Sequence, residues 1–273
     1  MVDTKDLDPT ESVATYFAVK LREHRERAGI GQREYARMQS ISPSLQNKIE
    51  RATRLPTREQ ALFADATFGT GVTFTELWPL VIKFAYPAWF RPYVDLERDA
   101  RSIRDFENQV IPGLLQTGSY TQAMLQGLRV SFDVIEDRLA ARQERQRLFQ
   151  RDKPPELWFV LDENVVRRTI GTLDVMRGQL ERLIEAAETP TTVIQVIPYS
   201  AGAHPGMDGP FTVLTLDEGP DVLAVEGFKH GQLLGELEQV RGAERTYDLL
   251  AAVALSPAHS IDLIARIAKD LST

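Results

Sequence analysis

The sequence predicts an all-α domain of five short helices, followed by an α+β domain with a small, mostly antiparallel sheet covered by helices. Three observations point there. Helix start signals recur through the first eighty residues. Apolar, β-branched runs of strand length (LWFVL, TTVIQVI, FTVLTL and DVLAV) occur only after residue 156. Basic charge is concentrated in one stretch: residues 15–60 hold ten Lys/Arg against five acids, in a chain whose formal net charge is -7. A length of 273 residues suits about two domains.

The N-terminal elements follow in order. Residues 1–14 form an acidic tail. Phe17, Leu21, His24 and Ala28 recur at helical spacing, and Gly29 followed by Ile30 reads as a left-handed cap, so a first helix is expected over 15–28. His24 on that stripe is expected to be a packed core side chain rather than a ligand. A second helix runs from Gln32 to about Gln39, with Tyr35 and Ala36 inward. Ser42 can accept a backbone N–H while Pro43 fills the first helical position, where a missing donor costs nothing; a third helix therefore starts at 43. At 100° per residue Leu45, Ile49 and Ala52 share one side of it, and Pro43, Ser44, Asn47 and Arg51 the other, with Lys48 at the border. Thr57 with Gln60 and Thr73 with Glu76 read as capping boxes that start a fourth and a fifth helix. Residues 15–82 make one domain, and a basic island in an acidic chain suits contact with a polyanion.

Gln32-x-x-x-Ala36, Ile49-Glu50-Arg51 and the downstream Pro56 resemble the motif of the lambda-repressor-like helix-turn-helix family, also called the XRE family. The resemblance implies a DNA-binding domain whose third helix enters the major groove of double-stranded DNA and whose Gln32 grips a phosphate. Ala52 stands where the family usually has Gly. Gln46 stands where it has an inward apolar residue, a role expected to pass to Leu45. On this reading Ser44, Asn47 and Lys48 read base edges, and Gln32, Arg33, Ser42, Arg51 and Arg54 hold phosphates.

From Trp78 the chain reads WPLVIKFAYPAWFRP, a packed connector placed at 83–96, ahead of an effector domain at 97–273. DLERDARSIRDFENQ and SFDVIEDRLAARQERQRLFQ are expected to be amphipathic helices, MRGQLERLIEAAE lies between LWFVL and TTVIQVI, and two more helices, about 233–255 and 256–271, close the chain. FTVLTL and DVLAV flank DEGP and read as a hairpin. The effector domain shows no Gly-x-Ser-x-Gly elbow, phosphate loop or His-Glu-x-x-His, and the chain has no cysteine, so no catalytic residue, metal or cofactor is expected. His204 and Asp208, in the loop SAGAHPGMDGP, are the candidate ligand residues. Asp162 and Glu163 are expected to serve structure. No apolar run nears the roughly 18 residues of a membrane span, and a cytoplasmic protein is expected.

PGLLQTGSY (112–120), ARQERQ (141–146), MRGQLERL (176–183), VIQVIPYSAGAHPGMDGPF (193–211) and ALSPAHS (254–260) are together similar to the effector domain of WhiJ-like regulators of actinobacteria. What this resemblance implies is a developmental or antitoxin-like transcription regulator working with a small acidic or BldB-like partner protein. A homodimer is expected, because paired half-sites multiply the limited base readout of one module. The alternatives are a small-molecule-sensing C-terminal domain built around the His204 loop, a helix-turn-helix turned interaction module, and an enzyme on that scaffold.

Overall fold

The computed structural model describes residues 7–228 and 230–271. Two compact units emerge. The first comprises the residues up to Pro87 together with Ser131–Glu144, and the second Ala88–Val130 with Arg145 to the C-terminus. The break between them falls inside the expected connector. The first unit also takes in a segment that the sequence reading assigned to the effector domain.

The first unit holds five consecutive helices, α1 Val13–Arg27, α2 Gln32–Met38, α3 Pro43–Glu50, α4 Arg58–Phe68 and α5 Thr73–Ile82. Gly29 closes α1 at φ +69°, with the Ile30 N–H donating back to the Arg25 carbonyl. Ser42 caps α3 through the Leu45 N–H, with Pro43 at the first helical position. Thr57 and Gln60 form the expected capping box of α4. The second expected box is absent. Thr73 lies inside α5, and Asp65 of α4 caps that helix instead, accepting from the N–H groups of Phe74 and Thr75 at 2.9 and 2.8 Å. Those bonds, with the Thr70 hydroxyl, hold its carboxyl below the ordinary range although burial pushes the other way. Phe17, Tyr35, Ala36, Ile49, Ala61, Ala64 and Phe74 make the core, and Ala61 and Ala64 let α4 approach closely.

Residues 88–99 open the second unit with α6 Arg91–Asp99, and β1 Ala100–Glu107 follows directly. The expected single helix over DLERDARSIRDFENQ is therefore corrected: its second half is a strand. Ala100, Ile103 and Phe106 are buried at a spacing of three, which imitates a helix: a bulge between Ala100 and Ser102 shifts the first step, and beyond it Ile103 and Phe106 lie on opposite faces of the strand. After β1 come α7 Gly118–Gly127 and α8 Phe132–Gln146, then β2 Glu156–Asp162, α9 Glu163–Arg167, α10 Leu173–Ala187, β3 Thr192–Ile197, β4 Phe211–Leu216, β5 Val222–Gly227, β6 His230–Leu234, α11 Leu237–Val253 and α12 Pro257–Asp270.

The six strands form one mixed sheet in the order β3-β2-β1-β4-β5-β6. β1, β2 and β3 run parallel; β4, β5 and β6 add antiparallel pairs. Three of the five strand pairs are antiparallel, as expected, but β1 pairs parallel with β2, which makes the sheet mixed and turns the helices before β2 into a crossover connection. α11 lays Tyr247 and Leu250 on Phe106, Val160 and Ile197 across one face. The outer edge of β3 is closed by the segment leading into α12: the Leu255 N–H donates to the Val196 carbonyl, and the Ser260 hydroxyl accepts from the Val196 N–H, each at 2.9 Å.

Candidate nucleic-acid interface

The candidate surface is built from α2, the turn after it and α3. Behind it lies a buried polar hub. Glu50, at the last turn of α3, is 1% exposed and receives Arg25 of α1 through two N–H groups, Nε at 2.7 Å and Nη2 at 2.8 Å. Gln32 Nε2 and Gln46 Nε2 add bonds at 3.0 and 2.8 Å. Arg25 also donates to the Ile30 carbonyl, and its hydrogen bond to Glu50 pushes the guanidinium pKa up further. Buried charge of this kind is tolerated only when bidentate and fully hydrogen-bonded.

This hub corrects the expected register of α3. Gln46, not Leu45, is the inward residue, 1% exposed, and it accepts from Gln39 at 3.2 Å. Leu45 is half-buried. Apolar periodicity could not reveal this, because the inward face of α3 is filled at two of its three buried positions by hydrogen-bonded polar groups. Ala52 adopts φ +53° immediately after the cap residue Arg51, the left-handed geometry for which glycine is the default residue.

The expected DNA-facing residues divide into three groups. Ser42 and Ser44 are exposed at the start of α3, and Arg33 is exposed on α2. Gln32 and Asn47 are half-buried and joined by an Asn47 Nδ2 to Gln32 Oε1 bond at 3.4 Å, so the hub fixes both. Lys48, Arg51 and Arg54 lie at the C-terminal end of α3. Arg51 is half-buried and caps the helix. Lys48 donates to Asp133 of α8 at 2.8 Å. Arg54 is buried: its guanidinium meets Glu136 and Asp137 of α8 at 2.5 Å each and also donates to the Asp133 carbonyl. The expected exposed phosphate contact at Arg54 is therefore corrected. Lys48 holds Asp133 below the ordinary carboxylate range, whereas burial pushes Asp137 up to about 6 despite Arg54 beside it. These three carboxylates were not legible as site residues, since α8 reads as an ordinary charged helix.

In the second unit the loop after β3 carries the other expected site. His204 Nε2 lies 3.1 Å from Asp162 Oδ2 at the end of β2, and the ring packs edge-on to Phe106. Gly206 sits against that same phenyl ring, where a Cβ would come within 2.2 Å. Asp208 is exposed and the structure does not bring it to His204. Asp162 caps α9 through the Asn164 N–H at 2.8 Å, and Glu163 accepts from the Tyr199 N–H and from Arg167, each at 2.6 Å.

Residues 90–266 match a family described as a domain of unknown function, DUF5753. The chain belongs to the DUF5753 family. No curated protein and no solved structure matches it. The DUF5753 match holds all six strands, and also α8, most of which packs in the first unit. Among the described residues no single helix is long and apolar enough to cross a membrane.

Proposed function

We propose that this chain is a sequence-specific DNA-binding transcription regulator, with a lambda-repressor-like helix-turn-helix over 15–82 and a DUF5753 domain that receives a partner. One observation carries the reading. The N-terminal half of α3 presents Ser42 and Ser44 to solvent, and α2 presents Arg33, on helices held by the Arg25–Glu50 hub and joined through Gln32 and Asn47. A helix N-terminus with short polar groups at a rigid angle suits base edges, and flanking cations suit phosphates. DUF5753 domains are often found after N-terminal helix-turn-helix domains, which agrees. On this reading the partner is a small acidic or BldB-like protein, the regulator binds DNA as a homodimer and acts in the cytoplasm.

The test is fluorescence anisotropy of the full chain with duplexes from its own upstream region. Binding that weakens as salt rises and is lost in the Arg33→Ala, Ser44→Ala double variant is expected. Binding unaffected by either would overturn the reading.

A second reading, a small-molecule sensor, rests on His204 Nδ1 and Asn108 Oδ1. Both atoms are buried without a hydrogen-bond partner near the carboxyl ends of β2 and β1, the end where α/β sheets place ligands. A metabolite thermal-shift screen that stabilises the chain but not its His204→Ala variant would favour it.

A further inference from the structure

The helix α8 is attached to the first unit in an unusual way. A helix that packs permanently presents an apolar stripe at i, i+3, i+4 and i+7. At those positions α8 presents Asp133, Glu136, Asp137 and Ala140, and its buried side chains between Phe132 and Gln146 are Ile135 and Ala141. The stripe meets two cations, Lys48 of α3 and Arg54 just beyond it. Farther along, α8 does not seal against its neighbours. A cleft of about 520 Å³ stays open there, walled by Met38, Ile41, Leu45, Phe63, Asp137 and Ala140 among others. The Lys48–Asp133 pair is half-exposed and contributes little, and with a cleft already open beside Arg54 the contact lacks the apolar burial that holds a packed core.

The chain's connectivity gives this contact a lever. Residues 88–130 and 145–273 belong to the second unit, so the segment 131–144 leaves that unit and returns to it. Both ends of the acidic helix are covalently tied to the second unit.

We propose that α8 is a built-in substitute for the DNA backbone, whose carboxylates Asp133, Glu136 and Asp137 occupy Lys48 and Arg54 until the helix is withdrawn. This rests on the DNA-binding reading and adds its regulation. With α8 seated, the exposed N-terminal half of α3 alone is available, and the three carboxylates repel phosphates brought to its C-terminal end. Withdrawal frees two cations and removes that repulsion together. An event in the DUF5753 domain that pulls on residue 130 or 145 thereby changes DNA affinity without touching the α3 surface.

The test uses the full chain and a fluorescein-labelled 40-base-pair random-sequence duplex, which reports the phosphate contacts. Asp133→Asn with Glu136→Gln keeps hydrogen-bonding capacity at two half-exposed positions while removing both charges. About fivefold tighter binding than wild type and a steeper salt dependence are expected, and Lys48→Ala in that background should cancel most of the gain. In a second arm, Met38→Cys of α2 and Ala140→Cys of α8, which both line the cleft, are joined by a cleavable bismaleimide in a chain that has no other cysteine. The joined protein should lose at least fivefold in affinity and recover it when the linker is reduced. Equal affinity and slope for wild type and the charge variant, or a joined protein that binds as well as the cleaved one, overturns the clamp and leaves the DNA reading standing. No salt-sensitive binding by wild type, variant or cleaved protein overturns both.

Discussion

Ala52 and Glu50 show how much of the first unit is decided by single side chains. Ala52 holds φ +53°, where a Cβ crowds the following carbonyl at about 1 kcal/mol. Ala52→Gly removes the crowding but gives the unfolded chain more freedom, which offsets part of the gain. The expected net effect is a stabilisation of about 0.5 kcal/mol, read as a higher urea midpoint with an unchanged slope. A lower midpoint would show that the Ala52 methyl packs usefully. Glu50 is the opposite case. Glu50→Ala leaves Arg25 buried with its main partner gone and Gln32 and Gln46 each short of an acceptor, and losses of about 3–5 kcal/mol follow from an uncompensated buried charge. Arg25→Met with Glu50→Leu should recover much of that stability while releasing Gln32 and Asn47. A single Glu50→Ala loss under 1 kcal/mol would mean that water reaches the hub.

Elements differ in how far their own residues announce them. The N-cap pair Ser42–Pro43, the Thr57–Gln60 box and the Gly29 cap are local chemistry, acting within a few residues, and the helices they start or end were legible from sequence. The strands β2 to β5 were legible too, as β-branched runs. β1 was not, because it lies between β2 and β4 and its ARSIRDFE carries charges that a central strand seldom holds. β6, HGQLL, is short and contains a glycine, which weakens any strand signal. The site divides along the same line. The exposed Ser42, Ser44 and Arg33 are sequence-local. The burial of Arg54 depends on carboxylates about eighty positions away, which no local pattern reports. Edge protection of β3 is likewise non-local and makes a prediction at this scale. Ser260→Ala leaves the buried Val196 N–H without its acceptor, so a cost of about 1–3 kcal/mol is expected, together with faster amide exchange along Thr192–Ile197. Unchanged exchange there would mean that the Leu255 bond alone closes the edge.

Two aspartates, one in each unit, sit where ionisation is costly. In the second unit Asp105 of β1 faces Thr212 of β4, whose hydroxyl lies 3.4 Å away. Burial, then Glu226 of β5 and Glu97 of α6, push its carboxyl up to about 7, while Arg145 and Thr212 pull it down. Glu97 is itself held by Arg145, which stacks on Phe90 and Tyr93. In the first unit Asp137 is pushed up to about 6, chiefly by burial. An unfolded aspartate titrates near 4, so between about pH 4 and each of these values the folded chain keeps a proton that the unfolded chain has released. Stability contributed by such a group is therefore complete below about pH 4 and is lost as pH rises through the folded value. The melting temperature of the full chain is expected to fall by a few degrees (~3–6 °C) from pH 5 to pH 8. Asp105→Asn should flatten the upper part of that fall, and Asp137→Asn the part near pH 6. The difference between wild type and each variant is the quantity to measure. A wild-type advantage over Asp105→Asn that grows with pH would mean that Arg145 holds Asp105 as an anion.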